Sequence, residues 1–220
     1  MNTMFDTLLQ LPLFQGLSQE DFTQILEKVK LQFSQHKPGE VIISSGDTCE
    51  GLVFLLKGEV GVTTSSSDVP YSLVEFFSAP YLLEFHALFG MNTRYVSRYV
   101  ASTETHLVRI RKSDVLQVLL NYEIFRLNCM NILCNRVQIL SQQPWKLKEM
   151  DIEKRITAFF LSLAERPTGV KLVSITMKDL AAVLNETRSS VSKALNMMQS
   201  DHKLELRRGE IMIPAMEHLL

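Results

Sequence analysis

The sequence predicts an α+β fold: an antiparallel β-roll, then a long helix, then a small helical unit that closes on a β-hairpin. Three observations carry this. Between Leu31 and Arg111 the apolar residues recur with period two, and glycines punctuate the runs. Between Lys112 and Gln143 the period turns helical, and part of it is a heptad. Between Ser174 and Ile213 two short helices around a tight turn precede two short alternating runs about a glycine.

Residues 1–30 read as helical on either side of a turn at Pro12–Gly16. Ser18 and Asp21 have capping-box spacing, with Asp in place of Glu or Gln. Phe22, Ile25, Leu26 and Val29 then form an amphipathic stripe. The roll follows, in the runs Val41–Ile43, Leu52–Leu56, Val60–Val62 and Leu107–Ile110. Gly39, Gly46, Gly51 and Gly58 supply corners between them. Ser113 is the expected cap of the next helix, with Val115, Leu116, Leu119 and Leu120 on one face. After Asn121-Tyr122 a longer helix begins. Met130, Leu133, Val137 and Leu140 step as a heptad seam that would face a second copy of the chain or pack on the roll. Pro144 should kink or stop that helix, which makes Trp145–Met150 a hinge. A further helix spans Asp151–Glu165, with Ile152, Ile156, Phe159, Phe160 and Leu163 apolar. The division is therefore 1–121 for the roll and its flanking helices, 122–150 for the long helix and hinge, and 151–220 for the last unit.

Composition sets bounds on this. With 46% hydrophobic and 21% charged residues, the 220-residue chain is ordinary for a globular protein. No apolar run reaches the roughly 18 residues of a membrane span. The N-terminal stretch lacks the basic and small-residue features of an export signal, which predicts a cytoplasmic protein without membrane association. Cys49, Cys129 and Cys134 form no CxxC and predict buried reduced thiols rather than a metal site. Net charge is −2 over residues 1–150 (thirteen basic, fifteen acidic) and +1 over the remainder (ten basic, nine acidic). So weak an asymmetry says little about nucleic acid, and any such function must rest on a local motif.

That motif lies at Met177–Met198. Met177–Leu184 reads as one short helix, Asn185-Glu186 as the turn, and Thr187 as the N-cap of a second helix. Ala181 is small where the helices cross. Leu180, Leu184, Val191 and Leu195 are apolar where they pack. Asn185 tolerates the left-handed conformation such a turn needs. This helix-turn-helix offers Arg188, Ser189, Ser190, Ser192 and Lys193 on the outward face of its second helix. Helices of that kind present their N-terminal residues to base edges in the major groove. Arg188 or Lys193 could donate to guanine, and Thr176, Thr187 and the serines could bond phosphate. Lys203–Leu206, the turn Arg207–Glu210 and Ile211–Ile213 form a hairpin that would hold Arg207 and Arg208 near phosphates.

The chain resembles the Crp/Fnr family of bacterial transcription regulators. The residues that carry the resemblance are Pro12–Ser18, the glycine-punctuated Pro38–Val62, and the segments LAAVLNETRSSVSKALNMM and ELRRGEIMIP. The resemblance covers nearly the whole length. It implies a cyclic-nucleotide-binding-type roll that senses an effector, a dimerisation helix and a winged helix-turn-helix. It further implies a homodimer on near-palindromic double-stranded DNA, with RNA polymerase as a partner.

One segment departs from the family. Cyclic-nucleotide binders of this type carry Gly-Glu, then Arg-Ser or Arg-Thr about ten positions later. Here Glu84 and Arg94 have the right types and spacing, but Leu83 replaces the glycine and Tyr95 the hydroxyl residue. Glu84, Arg94 and Tyr95 remain the effector-site candidates. Cyclic AMP is not the expected ligand; another small molecule, or side chains filling the pocket, is. His86 is expected to be structural, with no metal assigned. Two rival classes fit less well. No GxSxG, P-loop, HExxH or dinucleotide fingerprint occurs, so the chain is not expected to be an enzyme. A ligand-binding regulatory module without DNA recognition would have no use for residues 174–213.

Overall fold

The computed structural model describes residues 4–141 and 151–219. The expected hinge at Pro144 and Trp145–Met150 lies outside the described residues. Chain contacts divide the protein into two compact units, Met1–Gly61 with Phe77–Ile139, and Val62–Phe76 with Leu140–Leu220. The second unit therefore takes in a segment that the sequence division assigned to the roll.

In the first unit, α1 (Met4–Leu9) and α2 (Gln19–Lys28) precede the strands. The Ser18 hydroxyl accepts from the Asp21 amide at 3.0 Å and donates to its carboxylate at 2.8 Å, which is the expected capping box. The strands before the long helix are β1 (Gln32–His36), β2 (Val41–Ile43), β3 (Gly51–Lys57), β4 (Glu59–Ser65), β5 (Ser72–Ser78), β6 (Tyr81–Leu82), β7 (Arg98–Ala101) and β8 (Thr105–Arg111), of which most of β4 and β5 belongs to the second unit. One antiparallel sheet runs β1-β8-β3-β6, and β2 pairs with β7. Two glycines are dictated by close backbone approach. A Cβ on Gly51 would stand 2.1 Å from the Ile110 carbonyl oxygen. One on Gly58, whose φ is +91°, would stand 2.4 Å from that of Glu104.

Strand β8 runs directly into α3 (Lys112–Gln117). The residue before the helix is Arg111, so Ser113 sits inside the first turn and is not its cap. Arg111 grips Asp114 through two hydrogen bonds instead, at 3.0 and 3.1 Å. Val115 and Leu119 are buried, whereas Leu116, expected on the same face, is exposed, and α3 is followed by a 3-10 turn at Leu119–Asn121.

The long helix α4 (Glu123–Ser141) has two unlike faces. Phe125 and Cys129 are buried, and the Phe125 ring lies 5.6 Å from Phe14, which also meets Phe22 and Phe54. Asn128 ties this face to the N-terminal turn by donating to the carbonyls of Leu13 and Gln15. On the other face Met130, Leu133 and Val137 are 52, 39 and 60% exposed, and Ile124 and Leu127 extend the apolar row. Of the expected thiols, Cys49 and Cys129 are buried but Cys134 is exposed, which corrects the reading of three buried cysteines.

The second unit contains α5 (Ile152–Leu163), β9 (Lys171–Ser174), α6 (Met177–Leu184), α7 (Arg188–Ser200), β10 (Glu205–Arg207) and β11 (Glu210–Ile213). Asp151 caps α5 through the Lys154 amide. Its sheet runs β10-β11-β9-β5. Strand β5 pairs antiparallel with β9, Ser72 opposite Ser174 through Glu75 opposite Lys171. Leu73 thereby joins Ile156, Phe160, Val173, Leu180 and Val191 in one core. The hairpin strands reach closer to the turn than the sequence suggested, with Arg207 opposite Glu210 and only Arg208-Gly209 between them. Among the described residues, no helix is long and apolar enough to cross a membrane.

Candidate nucleic-acid interface

The second unit builds an exposed polar face from two caps and one strained turn. The Thr176 hydroxyl accepts from the Asp179 amide at 3.1 Å and so opens α6. Asn185 ends that helix at φ 52°, ψ 50°, the left-handed conformation expected of it. The Thr187 hydroxyl accepts from the Ser190 amide at 3.1 Å and opens α7. Arg155, on α5, fixes the turn between them. Its guanidinium donates to the Leu184 carbonyl and to Glu186 Oε1, the latter at 2.5 Å. Val191, Ala194, Leu195 and Met198 bury the inner face of α7, which leaves its other side outward.

On that side Thr187, Arg188, Ser189, Ser190 and Lys193 are exposed, and Ser192 is half-buried. The Ser190 hydroxyl is engaged with Thr187 Oγ1 at 2.8 Å and belongs to the cap. An open trough of about 820 Å³ follows the helix past Arg188, Ser189, Ser192, Lys193 and Asn196. A second groove, of about 330 Å³, is lined by Thr176, Lys178, Arg188, Arg207 and Glu210. The fold thus gathers residues far apart in sequence around the start of α7. Lys178 joins this cationic set although sequence reasoning passed over it. Arg207 is held between Glu205, at 3.2 Å, and Glu210, at 3.8 Å, so an incoming phosphate must compete with two carboxylates. Arg208 is exposed in the hairpin turn.

The effector candidates in the roll lie differently from the family pattern. Glu84 is buried in a left-handed conformation (φ 37°), and its carboxylate accepts from the amides of Val96 at 2.9 Å and Ser97 at 3.4 Å. Arg94 is exposed and donates to the Gly46 carbonyl at 2.7 Å. Leu83 and Tyr95 are both buried, and the Tyr95 ring meets Tyr99 edge-on at 6.4 Å. Burial, followed by a hydrogen bond to Cys49, pushes the Tyr95 phenol well above its ordinary range. His86 stands 3.7 Å from Glu84, but burial and then the Arg136 charge lower its pKa and favour the neutral ring. A recess of about 130 Å³ opens beside Tyr95, lined also by Gln32, Thr48, Glu50 and Arg109. Among the described residues, no cluster of three metal-ligating side chains occurs.

Comparison with known proteins agrees with this architecture. Residues 33–122 match the cyclic nucleotide-binding domain, and residues 154–220 match the Crp-like helix-turn-helix domain. The cAMP-activated global transcriptional regulator CRP of Pasteurella multocida (strain Pm70) is 21% identical over 177 residues, covering 78% of this chain and 85% of that protein. The crystal structure of Thermus thermophilus catabolite activator protein is similar with a TM-score of 0.54 and 20% identity, over 94% of this chain and 95% of that one. The c-di-GMP responsive global regulator CLP of Xanthomonas campestris gives a TM-score of 0.51 at 16% identity, over 90% and 99%. At such identities the two structures establish the fold alone. The helix-turn-helix match favours DNA recognition over a ligand-binding module without it, and the family is one of regulators rather than enzymes. The chain belongs to the Crp/Fnr family: it is a DNA-binding transcription regulator with an effector-binding domain.

Proposed function

We propose that the chain acts as a cytoplasmic homodimer that reads a near-palindromic operator with α7, under control of an effector other than cyclic AMP. The observation that carries the DNA reading is the exposed start of α7, where Arg188, Ser189 and Lys193 stand beside the groove shared with Thr176 and Arg207. Arg188 and Lys193 are assigned to base edges, since a bidentate arginine contributes about 1–3 kcal/mol of discrimination. Thr176, Thr187, Ser189, Ser190 and Ser192 are assigned to the DNA backbone near helix N-termini that favour anions, and Arg207 and Arg208 to the DNA backbone from the hairpin. Regulators of this family are dimeric, and the exposed row Met130, Leu133 and Val137 supplies an apolar surface for a second copy. The Leu140 side chain, the last member of the expected seam, lies outside the described residues. Two α7 helices would then enter major grooves about 34 Å apart. RNA polymerase is the further partner such a regulator would engage.

For the effector, two relatives of this fold carry different ligands in their names, one cAMP-activated and one c-di-GMP responsive, so the fold leaves the ligand open. Three features argue against cyclic AMP here. Leu83 and Tyr95 fill space, Glu84 already occupies the Val96 and Ser97 amides, and Arg94 faces Gly46. The recess beside Tyr95, about 130 Å³, is well under the roughly 300 Å³ of a drug-sized site, and suits at most a small ligand. Control would follow if the ligand bound one state of the dimer better than the other.

The test is selection of bound duplexes from random DNA, followed by footprinting. Two half-sites about one helical turn apart are expected. Binding that shows no sequence preference would reject the reading. Titration calorimetry with cyclic AMP tests the effector statement, and micromolar binding would reject it.

A further inference from the structure

We propose that β5 is a fourth strand of the DNA-binding unit on which DNA affinity depends, and that Glu75 is a positioning residue that holds it in register on β9 through Lys171. The proposal rests on the DNA-binding reading above.

Glu75 and Lys171 are opposed in the β5–β9 register, with side chains 4 and 2% exposed and 3.1 Å apart. Each has further partners. The Glu75 carboxylate accepts from the amides of Glu165 at 2.9 Å and Arg166 at 3.4 Å, just beyond the end of α5. The Lys171 ammonium donates to the Thr168 carbonyl at 2.7 Å. Tyr71 completes the junction with an edge-on contact to Phe159 at 5.3 Å.

A buried ion pair with its hydrogen bonds met adds little net stability over an apolar pair, but it is unforgiving about register. A slip of one residue would carry Glu75 to the opposite face of the strand and leave Lys171 buried without its counter-charge. Slipped pairings are thereby disfavoured, and the clasp selects the docked register.

Docking bears on DNA binding through β9. The other edge of β9 pairs with β11 of the hairpin, and the Ile175 amide donates to the Gly209 carbonyl in the hairpin turn. Thr176, the cap of α6, follows immediately. The strand next to β5 therefore sets both the hairpin and the start of the helix-turn-helix. With β5 docked, Thr187, Arg188, Ser189 and Lys193 remain exposed, so docking does not cover the recognition face. Leu73, on β5, packs in the core of the second unit.

The experiment uses the full chain and a duplex selected from random DNA. Glu75→Ala strips Lys171 of its partner. Amide exchange at 72–75 and 171–174 should rise about tenfold or more while Leu180, Val191 and Leu195 keep their protection. Affinity for the selected duplex should fall about tenfold. In the same background, Val74→Cys with Leu172→Cys, at opposed register positions, allows a disulfide across the strands. Its oxidation should restore affinity and reductant should remove it again, a reversal that lost packing alone would not produce. Unchanged affinity despite raised exchange, or a cross-link that restores nothing, overturns the proposal. If Glu75→Ala fails to fold, Glu75→Leu with Lys171→Met decides the matter. That apolar pair should keep β5 docked and DNA bound, and loss of binding in a folded double variant counts against it. A wild-type chain that binds every duplex alike sinks the DNA-binding reading itself, a result distinct from a loss confined to the clasp variants.

Discussion

Replacing Arg155 by methionine tests whether the turn of the helix-turn-helix is held from α5. Methionine keeps the bulk of the stem and removes the charge. It deletes a salt bridge to Glu186 and a charged hydrogen bond to the Leu184 carbonyl. The Arg155 side chain is only 13% exposed, whereas Glu186 is 29% exposed and recovers some water when released. A fully buried pair broken on one side costs about 3–5 kcal/mol and an exposed one about 0–1, so this site should lose about 2 kcal/mol. In a cooperative unit of roughly 100 residues that lowers Tm by about 8–16 °C. Thermal and urea unfolding, followed by circular dichroism, measure it. The double variant Arg155→Met with Glu186→Leu should recover part of the loss, giving a coupling of about 1 kcal/mol or more. Losses that simply add, or a wild-type chain no more stable than the Arg155→Met variant, would refute the claim that this arginine fixes the turn.

Three further outcomes are expected. Arg188→Ala should relax base preference at one or two operator positions, while Arg207→Ala weakens all sequences alike and reduces the salt slope by about one; competition binding at several salt concentrations separates them, and equal losses on specific and random DNA for Arg188→Ala would contradict base reading. Val137→Glu, in the exposed apolar row of α4, should shift sedimentation from dimer to monomer, and an unaltered dimer would place the interface elsewhere. Burial pushes the Cys129 thiol up to about 11. Because only the thiolate reacts, Cys129 should stay unreactive toward iodoacetamide at neutral pH in the folded chain, gain reactivity as pH rises toward 11, and react freely in urea. Rapid labelling of Cys129 at pH 7 in the folded protein would contradict this.

The parts legible in sequence are those fixed by local chemistry. Thr187 caps α7, Asn185 takes the left-handed turn and Ser18 pairs with Asp21 as their spacing requires. Of the glycines expected at roll corners, Gly39, Gly46 and Gly58 take the positive φ a corner needs, whereas Gly51 opens β3 and is dictated by the close approach of the Ile110 backbone instead. What escapes is decided at long range. Strands β5 and β9 go unrecognised because Glu75 and Lys171 occupy buried positions and break the apolar alternation that marks a strand. Leu73 and Phe77, both buried on the same face, are the remaining signal. The Arg155–Glu186 bridge joins residues 31 apart on different elements, and no spacing rule foretells it. Ser113 fails as a cap because β8 leads into α3 without a break. The effector candidates follow from type and spacing, yet Glu84 turns to the backbone of Val96 and Ser97 while Arg94 faces Gly46, a choice that only the fold around them makes.

The pairing of β5 with β9 also sets a timetable for synthesis. Leu73 finds its partner Val173 one hundred residues later in the chain. At about 5–20 residues per second, a ribosome needs roughly 5–20 s to make the intervening polypeptide. Throughout that interval the nascent β5 has one edge unsatisfied, with Leu73 and Glu75 awaiting a strand that does not yet exist. Such an edge is an invitation to mispairing between chains on neighbouring ribosomes. Slower translation or crowded polysomes should therefore lower the yield of native protein, and a holdase chaperone supplied during synthesis should raise it.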